Sequence, residues 1–315
     1  MPPLPRLLLT GPPYTLGHQH GTSLRPAIHR TIAFYSTLFL STTQKTWPEI
    51  LSLASLFLPF IKSHLPSLLT EMQGLADGAQ RDLLEIIAIN VRTEINFGLF
   101  SDGCTAVGWT EGGQGEGGSI LAQNWDWMEE QKENLVLLDV RGEGKVRFQM
   151  VTEAGLVGKI GMNEKGVGVC LNAIRRKGMD VGKLPCHLAL RVVLECESRE
   201  EAVGRIEMDG KGRVFHSNHY LHDDMKEGDT MWLKDSGFRV KRIEELCDKL
   251  EAPTLEGVQG LFTDEENYPA AICRKQEGDV TSATLFNIVM DLEAKKAKIL
   301  LGRPVAPEDE VEISF

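Results

Sequence analysis

A cysteine near the middle of the chain, Cys104, has the residue type and the surroundings for nucleophilic chemistry. Cysteine is the strongest nucleophile among ordinary side chains, and it reacts as the thiolate. If Cys104 became the first residue of a chain, its own α-amino group, with an unperturbed pKa near ~8, could serve as the general base. Gly103 precedes it, and glycine best tolerates the strained backbone that a self-cleaving bond needs. Because an inert buried cysteine is the commoner case, both interpretations stay open at this point.

Polar residues on the following strand could flank this cysteine. The segment Gln123-Asn124-Trp125-Asp126-Trp127 alternates polar and bulky side chains, which predicts that Asn124 and Asp126 share one face of a strand. A glycine-rich loop over 111–118 predicts a hairpin that pairs this strand with the Cys104 strand. Asparagine and aspartate at a strand end also form turns, so a structural role is the alternative.

A second polar cluster, His216-Ser217-Asn218-His219 with His222 after it, allows three interpretations. The spacing His-x-x-His-x-x-His is typical of a metal cluster, but no carboxylate completes a familiar catalytic set, so we expect no metal. His216 or His219 could instead form a dyad with Cys104. Finally, the neutral amide of Asn218 is a suitable donor for an oxyanion hole.

One arginine near the end of the chain is a further candidate. Arg303 stands between Gly302 and Pro304 at the predicted end of the last strand. Such a position is typical of a surface residue, but its charge could also stabilise an anionic intermediate.

The composition indicates a globular, acidic chain of 315 residues, enough for one large domain or two ordinary ones. Lysine and arginine number 34 against 45 aspartates and glutamates, a formal charge of −11, so we expect no nucleic-acid partner. The six cysteines are scattered without a Cys-x-x-Cys pair, which is typical of a reducing compartment. The longest apolar stretch, 51–61, is shorter than the ~20 residues that span a bilayer. We therefore expect a cytoplasmic protein without a membrane segment.

The pattern of apolar residues changes at Cys104. Helical spacing dominates before it and short apolar runs between turn residues follow it, which predicts a layered α+β sandwich. The predicted helices are 24–40, 47–61, 65–78, 81–96, 188–198, 200–206 and 240–250. The predicted strands are 104–109, 119–123, 135–140, 146–151, 159–162, 167–171, 213–216, 284–291 and 298–301.

Taken in order, short motifs over nearly the whole chain resemble one family, the fungal acyl-coenzyme A:isopenicillin N (6-aminopenicillanic acid) acyltransferases, which are N-terminal-nucleophile (Ntn) hydrolases. The matching segments are Asp102-Gly103-Cys104-Thr105, Gln123-Asn124-Trp125-Asp126, Lys132-Glu133-Asn134-Leu135, the run from Thr152 to Lys159, His216-Ser217-Asn218-His219, Glu266-Asn267-Tyr268-Pro269, Ala283-Thr284-Leu285-Phe286-Asn287 and Leu301-Gly302-Arg303-Pro304.

The resemblance implies a four-layer αββα sandwich that cleaves itself between Gly103 and Cys104. Residues 1–103 would form a helical pro-segment and small subunit, and 104–315 the catalytic large subunit. The two fragments would stay associated as one structural domain. Cys104 would be the nucleophile and its amine the base, which disfavours a Cys–His dyad. Substrates would be small amides and acyl-coenzyme A thioesters, with no cofactor besides acyl-coenzyme A as a co-substrate.

The same resemblance assigns roles to individual residues. Asp126 matches the active-site aspartate of the family, and Asn218 and Arg303 match its oxyanion-side asparagine and arginine. The substrate-binding residues that we expect are Thr105, Asn124 and Asn172.

The chain departs from the family pattern after Ile206, where residues 207–212 lead almost directly to the His216 cluster. Roughly forty residues are absent, more than a trimmed loop because strands average only about 5–6 residues. We therefore expect sheet strands to be missing after Ile206. The alternative function is a non-catalytic or unprocessed homologue that acts as a binding or regulatory module.

Overall fold

Two β-sheets organise the computed structural model, which describes residues 3–96, 103–110, 118–174, 178–198, 208–220 and 233–315. In chain order the elements are β1 (Arg6–Gly11), α1 (Pro13–Ser23), α2 (Arg25–Thr43), α3 (Trp47–Ser55), α4 (Leu58–His64), α5 (Pro66–Ala79), α6 (Leu83–Asn90), α7 (Arg92–Ile95), β2 (Gly103–Thr110), β3 (Ser119–Trp127), β4 (Leu135–Gly142), β5 (Phe148–Glu153), β6 (Ile160–Asn163), β7 (Gly168–Val169), α8 (Cys186–Leu194), β8 (Arg213–His216), α9 (Ser236–Cys247), α10 (Leu255–Leu261), β9 (Ala283–Asp291), β10 (Lys296–Leu301) and β11 (Asp309–Ser314).

The two sheets differ in strand order. Sheet A has the order β1-β4-β5-β6-β7, in which β1 runs parallel to β4 and the remaining pairs are antiparallel. Sheet B has the order β11-β10-β9-β3-β2-β8 and is antiparallel throughout. Because β1 belongs to sheet A, the segment before Cys104 supplies part of the same sheet as the segment after it.

Alternating side chains give each sheet two buried faces. Leu135 and Leu137 of β4 belong to the largest core, which also contains Trp125 of sheet B and reaches α2, α5 and α6. Val136 and Leu138 alternate with those residues along β4 and therefore face the opposite side of sheet A, where they pack with residues of α1 and α8. The outer side of sheet B packs against α9 and α10. The molecule is therefore α+β, and the order helix–sheet–sheet–helix is compatible with a sandwich.

Most predicted elements are confirmed within the described residues, and the differences have local causes. The predicted helix 47–61 is two helices, α3 and α4, with a turn around Leu56. The predicted helix 81–96 likewise divides at Val91 into α6 and α7. The sequence patterns missed β1, α1, α10 and β11. The predicted helix 200–206 lies outside the described residues.

Within the described residues, one edge of each sheet is a short strand. Sheet A ends at β7, which has two residues, and sheet B ends at β8, which has four. Within the described residues, the Asp209–Gly212 turn leads directly into β8, with the amide of Gly212 bonded to the Asp209 carbonyl oxygen at 3.0 Å.

Candidate active site

Cys104 lies at the start of β2, where the strand is paired on one side with β3. In this register Cys104 is opposite Trp125 and Gly103 is opposite Asp126. Opposed residues of antiparallel strands place their side chains on the same face. Cys104 and Trp125 consequently share the core between the sheets, whereas Asp126 lies on the other face, beside α9.

The backbone of Cys104 is held by three side chains. Its amide N–H donates to Asn218 Oδ1 at 2.9 Å. Its carbonyl oxygen accepts from Ser217 Oγ at 2.9 Å and from Nη1 of Arg239. All four residues are buried, so these hydrogen bonds form out of contact with solvent and fix both polar atoms of the residue.

The amide group of Asn218 has one orientation that satisfies all its partners. Its Oδ1 accepts from Cys104 N, from Ser217 Oγ at 3.2 Å and from Arg239 Nη2 at 2.8 Å. Its Nδ2 donates to the carbonyl oxygen of Ala173 at 3.0 Å. The atom that faces Cys104 is therefore an acceptor, a suitable partner for an N–H group. An oxyanion would need the Nδ2 donor, which is occupied by Ala173.

Two arginines and two aspartates form a charged network beside Cys104. Arg239 donates through Nε to Asp235 Oδ2 at 2.7 Å, and Nη2 of Arg274 donates to the same oxygen. Arg274 Nε also lies 3.4 Å from Asp126 Oδ2, while Asp126 Oδ1 accepts from Thr284 Oγ1 at 2.7 Å. Burial raises the pKa of Asp126, although Arg274 and Arg239 act in the opposite direction. This carboxyl group therefore binds a proton more readily than an ordinary aspartate.

The Asp126–Arg274 pair leaves little space for a side chain at position 103. A Cβ atom at position 103 would lie 2.9 Å from Asp126 Oδ2 and 3.0 Å from Arg274 Nε. The backbone of Gly103 is extended within β2, and its φ angle is not positive. Gly103 therefore does not adopt the left-handed conformation that glycine alone tolerates well. A larger residue before Cys104 would press against this buried ion pair, which glycine avoids.

A second buried charge cluster contacts the ring of Trp125. Lys159 Nζ is 3.8 Å from the centroid of the Trp125 ring and 2.9 Å from Glu153 Oε2. Arg92 Nη2 donates to the same oxygen at 2.7 Å, and the hydroxyl of Tyr35 donates to Glu153 Oε1. Trp125, which lies opposite Cys104, thus makes a cation–π contact with a lysine that is itself held in a buried ion-pair network.

The predicted substrate-binding residues occupy different places. Thr105 follows the cysteine, and its Oγ1 accepts from Arg239 Nη1 at 3.0 Å. Asn124 is buried further along β3, where its Nδ2 donates to the carbonyl oxygens of Phe262 and Ile272 at 3.0 and 2.9 Å. Asn172 is half-buried with a 3.5 Å contact from Nδ2 to the His216 carbonyl oxygen. Among the described residues, Thr105 is the one of the three that hydrogen-bonds to the network around Cys104.

Arg303 reaches this network indirectly. Its Nε donates to the carbonyl oxygen of Arg274 and its Nη2 to that of Cys273, both at 3.1 Å, and Nη2 also pairs with Glu265. It therefore supports the backbone of the arginine that lies against Asp126. Whether Arg303 also acts on an intermediate stays a prediction.

The histidines next to Asn218 bond to neighbouring protein groups. His219 Nδ1 lies 2.7 Å from Ser236 Oγ, which also accepts from the amide of Asn218 at 2.8 Å. His216 Nδ1 lies 2.7 Å from the Ser217 carbonyl oxygen. His222 of the predicted histidine triplet lies outside the described residues. Within the described part of the chain, no group of three potential metal ligands is present.

Sequence reasoning missed Arg239, Arg274 and Asp235. Arg239 lies on α9, and arginine on an amphipathic helix ordinarily faces solvent, so its complete burial could not be foreseen from the sequence. Arg274 follows the apolar pair Ile272-Cys273, and this apolar neighbourhood was the one sign in the sequence that Arg274 is buried.

A second thiol lies close to the first. Burial raises the pKa of Cys170, and the neighbouring Cys104 raises it further. The segment after Cys170 is bound to sheet B by the side-chain amide of Gln123. Gln123 Oε1 accepts from the Leu171 amide at 2.9 Å, and its Nε2 donates to the Leu171 carbonyl oxygen at 2.5 Å.

Comparison with known proteins identifies the family. The family model described as acyl-coenzyme A:6-aminopenicillanic acid acyl-transferase matches residues 113–212 and 205–306. The acyl-coenzyme A:6-aminopenicillanic-acid-acyltransferase 40 kDa form of Emericella nidulans is 34% identical over 342 positions, which cover 97% of this chain and 94% of the relative. The chain belongs to this family.

The comparison also shows a difference in length. The alignment with the Emericella protein is 342 positions long, more than the 315 residues of this chain, so the relative has positions that this chain lacks. A separate finding concerns membranes: in the described ranges, no helix is both long and apolar enough to cross a bilayer.

Proposed function

We propose that this member of the acyl-transferase family is a self-processing Ntn cysteine acyltransferase and amidohydrolase. The observation that carries the proposal is the 2.9 Å hydrogen bond from the backbone N–H of Cys104 to Asn218 Oδ1. This nitrogen belongs to the peptide bond with Gly103. Cleavage of that bond turns the nitrogen into an α-amino group that already faces a fixed side-chain acceptor.

Processing follows from the chemistry of a cysteine next to its own peptide bond. The thiolate of Cys104 adds to the carbonyl carbon of Gly103, forming a C–S bond, and the C–N bond breaks as the nitrogen takes a proton. Water then adds to the thioester, the C–S bond breaks, and the thiol is restored. The products are a chain that ends at Gly103 and a chain that begins at Cys104. The pairing of Gly103 with Asp126 across β2 and β3 supports a fixed position for the scissile bond.

Acyl transfer repeats the same two steps on a substrate. The Cys104 thiolate attacks the carbonyl of an amide or an acyl-coenzyme A thioester, and the amine or thiol leaves with a proton from the α-ammonium group. A small amine or water takes the acyl group from the enzyme thioester. The names of the family and of the Emericella relative, which pair acyl-coenzyme A with 6-aminopenicillanic acid, support these substrate classes.

The remaining residues divide into two groups. We assign Asp126, Thr105 and Asn218 to the surroundings of the nucleophile, since each contacts Gly103, Cys104 or their immediate partners. Arg303 supports the site through the backbone of Arg274, and Asn124 and Asn172 remain candidates for substrate binding.

A second candidate function is an unprocessed or non-catalytic homologue that serves as a binding module. It is favoured by the positions missing relative to the Emericella protein and by the short edge strands β7 and β8. Edge strands present backbone groups with which another chain can pair.

Selective alkylation distinguishes the two candidates. Purified protein is treated with iodoacetamide at neutral pH, and the labelled cysteines are identified by peptide mass spectrometry. An enzyme labels at Cys104 faster than at the other five cysteines and loses acyl-coenzyme A consumption, measured with 6-aminopenicillanic acid as acceptor. Labelling of Cys104 no faster than the others would support the non-catalytic homologue.

A further inference from the structure

Arg239 hydrogen-bonds to the Cys104 carbonyl oxygen and also to two residues next to it, Thr105 and Asn218. We propose that Arg239 is a positioning residue that keeps the α-amino group of processed Cys104 in its neutral, proton-accepting form. The proposal rests on the function proposed above and adds to it the residue that controls the base.

The geometry places a permanent positive charge beside the future amine. The guanidinium is completely buried and bonds to the Cys104 carbonyl, to Thr105 Oγ1 at 3.0 Å and to Asn218 Oδ1 at 2.8 Å. The nitrogen of Cys104 lies 2.9 Å from the same Oδ1 atom. Two nitrogens that share one acceptor are within the ~4–6 Å over which a charge shifts the ionisation of its neighbour.

A like charge at this distance disfavours the ammonium form of the amine. A free α-amino group has a pKa near ~8 and is mostly protonated at neutral pH, so only a small fraction of it could accept the thiol proton. A general base works best when its pKa lies near the operating pH. Burial disfavours the ammonium form as well, and arginine stays charged because a guanidinium is not deprotonated in proteins.

The other charged and titratable groups around Cys104 are compensated within the network. Asp235 is bonded to both guanidiniums, and Asp126 lies against Arg274 and has a pKa raised by burial. The remaining groups that face this region are His216 and His219 beside Asn218, and the Cys170 thiol. Burial lowers the pKa of His216, so it adds no charge at neutral pH.

With a neutral amine the proton balance closes at each step. The Sγ–H proton moves to the amine lone pair, which gives a thiolate and an ammonium. The thiolate forms the C–S bond, and the leaving group departs with the ammonium proton. The water or amine that attacks the thioester returns a proton to the sulfur through the same nitrogen.

Replacement of Arg239 should leave the fold intact, because three of its four acceptors have other donors. The Cys104 carbonyl keeps Ser217, Asn218 Oδ1 keeps Cys104 N, and Asp235 keeps Arg274. Arg242 offers a matched control on the same helix, where it pairs with Asp264 at 2.6 Å.

The experiment follows the rate of Cys104 alkylation by iodoacetamide against pH in the processed wild type, Arg239→Gln, Arg239→Lys and Arg242→Gln. Loss of the positive charge raises both macroscopic pKa values of the amine–thiol pair, so we expect the profile of Arg239→Gln to move up by about one pH unit. On the acidic side this is roughly a tenfold lower rate. Arg239→Lys retains the wild-type midpoint because it retains the charge, and Arg242→Gln matches the wild type.

Three outcomes would overturn the proposal. A profile of Arg239→Gln that coincides with those of the wild type and Arg242→Gln would show that the charge does not act on the pair. An Arg239→Gln chain that folds but never splits would place Arg239 in processing instead. A wild-type chain that never splits would contradict the proposed function as well as this inference, which distinguishes the two failures.

Discussion

The side-chain oxygen of Asn218 lies 2.9 Å from the backbone nitrogen of Cys104, a residue 114 positions earlier in the chain. The contact exists because β8 pairs with β2 and the chain turns directly after β8, which brings Ser217 and Asn218 to the start of β2. The position of this asparagine therefore depends on sheet B rather than on any local motif.

Replacement of Asn218 tests this contact. Asn218→Leu leaves the buried Cys104 N–H without its acceptor, so we expect a loss of about 1–3 kcal/mol in the free energy of unfolding and slow or absent splitting. The control is Asn163→Leu in sheet A, a buried asparagine that also bonds to backbone groups, at 2.8 to 3.1 Å. Urea unfolding and a time course on denaturing gels measure the two effects. Equal splitting rates in the two variants would contradict the role of Asn218.

Space at position 103 gives a second prediction. Gly103→Ala forces a methyl group against the buried Asp126–Arg274 pair, 2.9 Å from Asp126 Oδ2, and we expect splitting to slow by at least about tenfold since a small misplacement is costly in a positioned reaction. Gly108→Ala in the same strand is the control, because its nearest atom is Leu121 Cδ1 at 3.9 Å. If both variants split at the wild-type rate, Gly103 is not constrained as described.

The buried carboxylate of Glu153, in the charge cluster that contacts Trp125, gives a third prediction, on stability. Burial raises the pKa of Glu153, but Arg92 and Lys159 outweigh it, so the pKa in the folded chain is below the ordinary value of 4.5. Its contribution to stability is present above that value and is lost as the pH falls through the lowered pKa. Glu153→Gln leaves two buried cations uncompensated, and we expect a loss of about 3–5 kcal/mol at neutral pH.

Asp139 provides the comparison for Glu153. It pairs with Arg147 at 2.8 Å but is partly exposed, so Asp139→Asn should cost about 1 kcal/mol or less. Urea unfolding at neutral and acidic pH measures both variants. A Glu153→Gln chain as stable as Asp139→Asn at neutral pH would contradict the description of the cluster.

His20 gives a fourth prediction, on pH dependence. Burial, together with the charge of Arg191, lowers the pKa of His20 to about 4 from 6.5, and its Nε2 accepts from the Gly155 amide at 3.1 Å. The unfolded chain takes up a proton below pH 6.5 that the folded chain refuses until about pH 4. The contribution of neutral His20 to the free energy of unfolding is therefore fully present above pH 6.5. It is lost as the pH falls from 6.5 to about 4, by on the order of 3 kcal/mol.

His20→Gln should flatten this part of the stability curve. A slope remains, because burial also lowers the pKa of His187 well below its ordinary value. The exposed His64→Gln serves as the control for the loss of a histidine. An unchanged slope in His20→Gln, measured by urea unfolding at several pH values, would refute the prediction.

The sequence predicts elements whose own pattern is sufficient to form them. Strand β2 and the hairpin with β3 were foreseen because alternation and a glycine-rich loop are local signals. Helix α1 was missed because it contains Gly17 and Gly21 and lacks a clear apolar stripe. Its glycines instead allow close packing on α5: a Cβ at Gly17 would lie 1.8 Å from the Glu71 carbonyl oxygen. That partner lies in another helix, so the local sequence carries no sign of it.

The candidate site shows the same division. Cys104, Asp126 and Asn218 were identified because they belong to short motifs with chemical side chains, and the structure brings all three into one buried network with Arg239 and Arg274. The two arginines could not be chosen from the sequence, because only tertiary packing shows which of the many arginines are buried.

The intact mass of the purified chain tests the central claim most directly. The account predicts two masses for the wild type, one for a fragment that ends at Gly103 and one for a fragment that begins at Cys104, which elute together under native conditions. Cys104→Ala should give one mass, that of the whole chain, and Cys247→Ala should split like the wild type. A wild-type chain that keeps the single full-length mass, indistinguishable in processing from Cys104→Ala, would contradict the account.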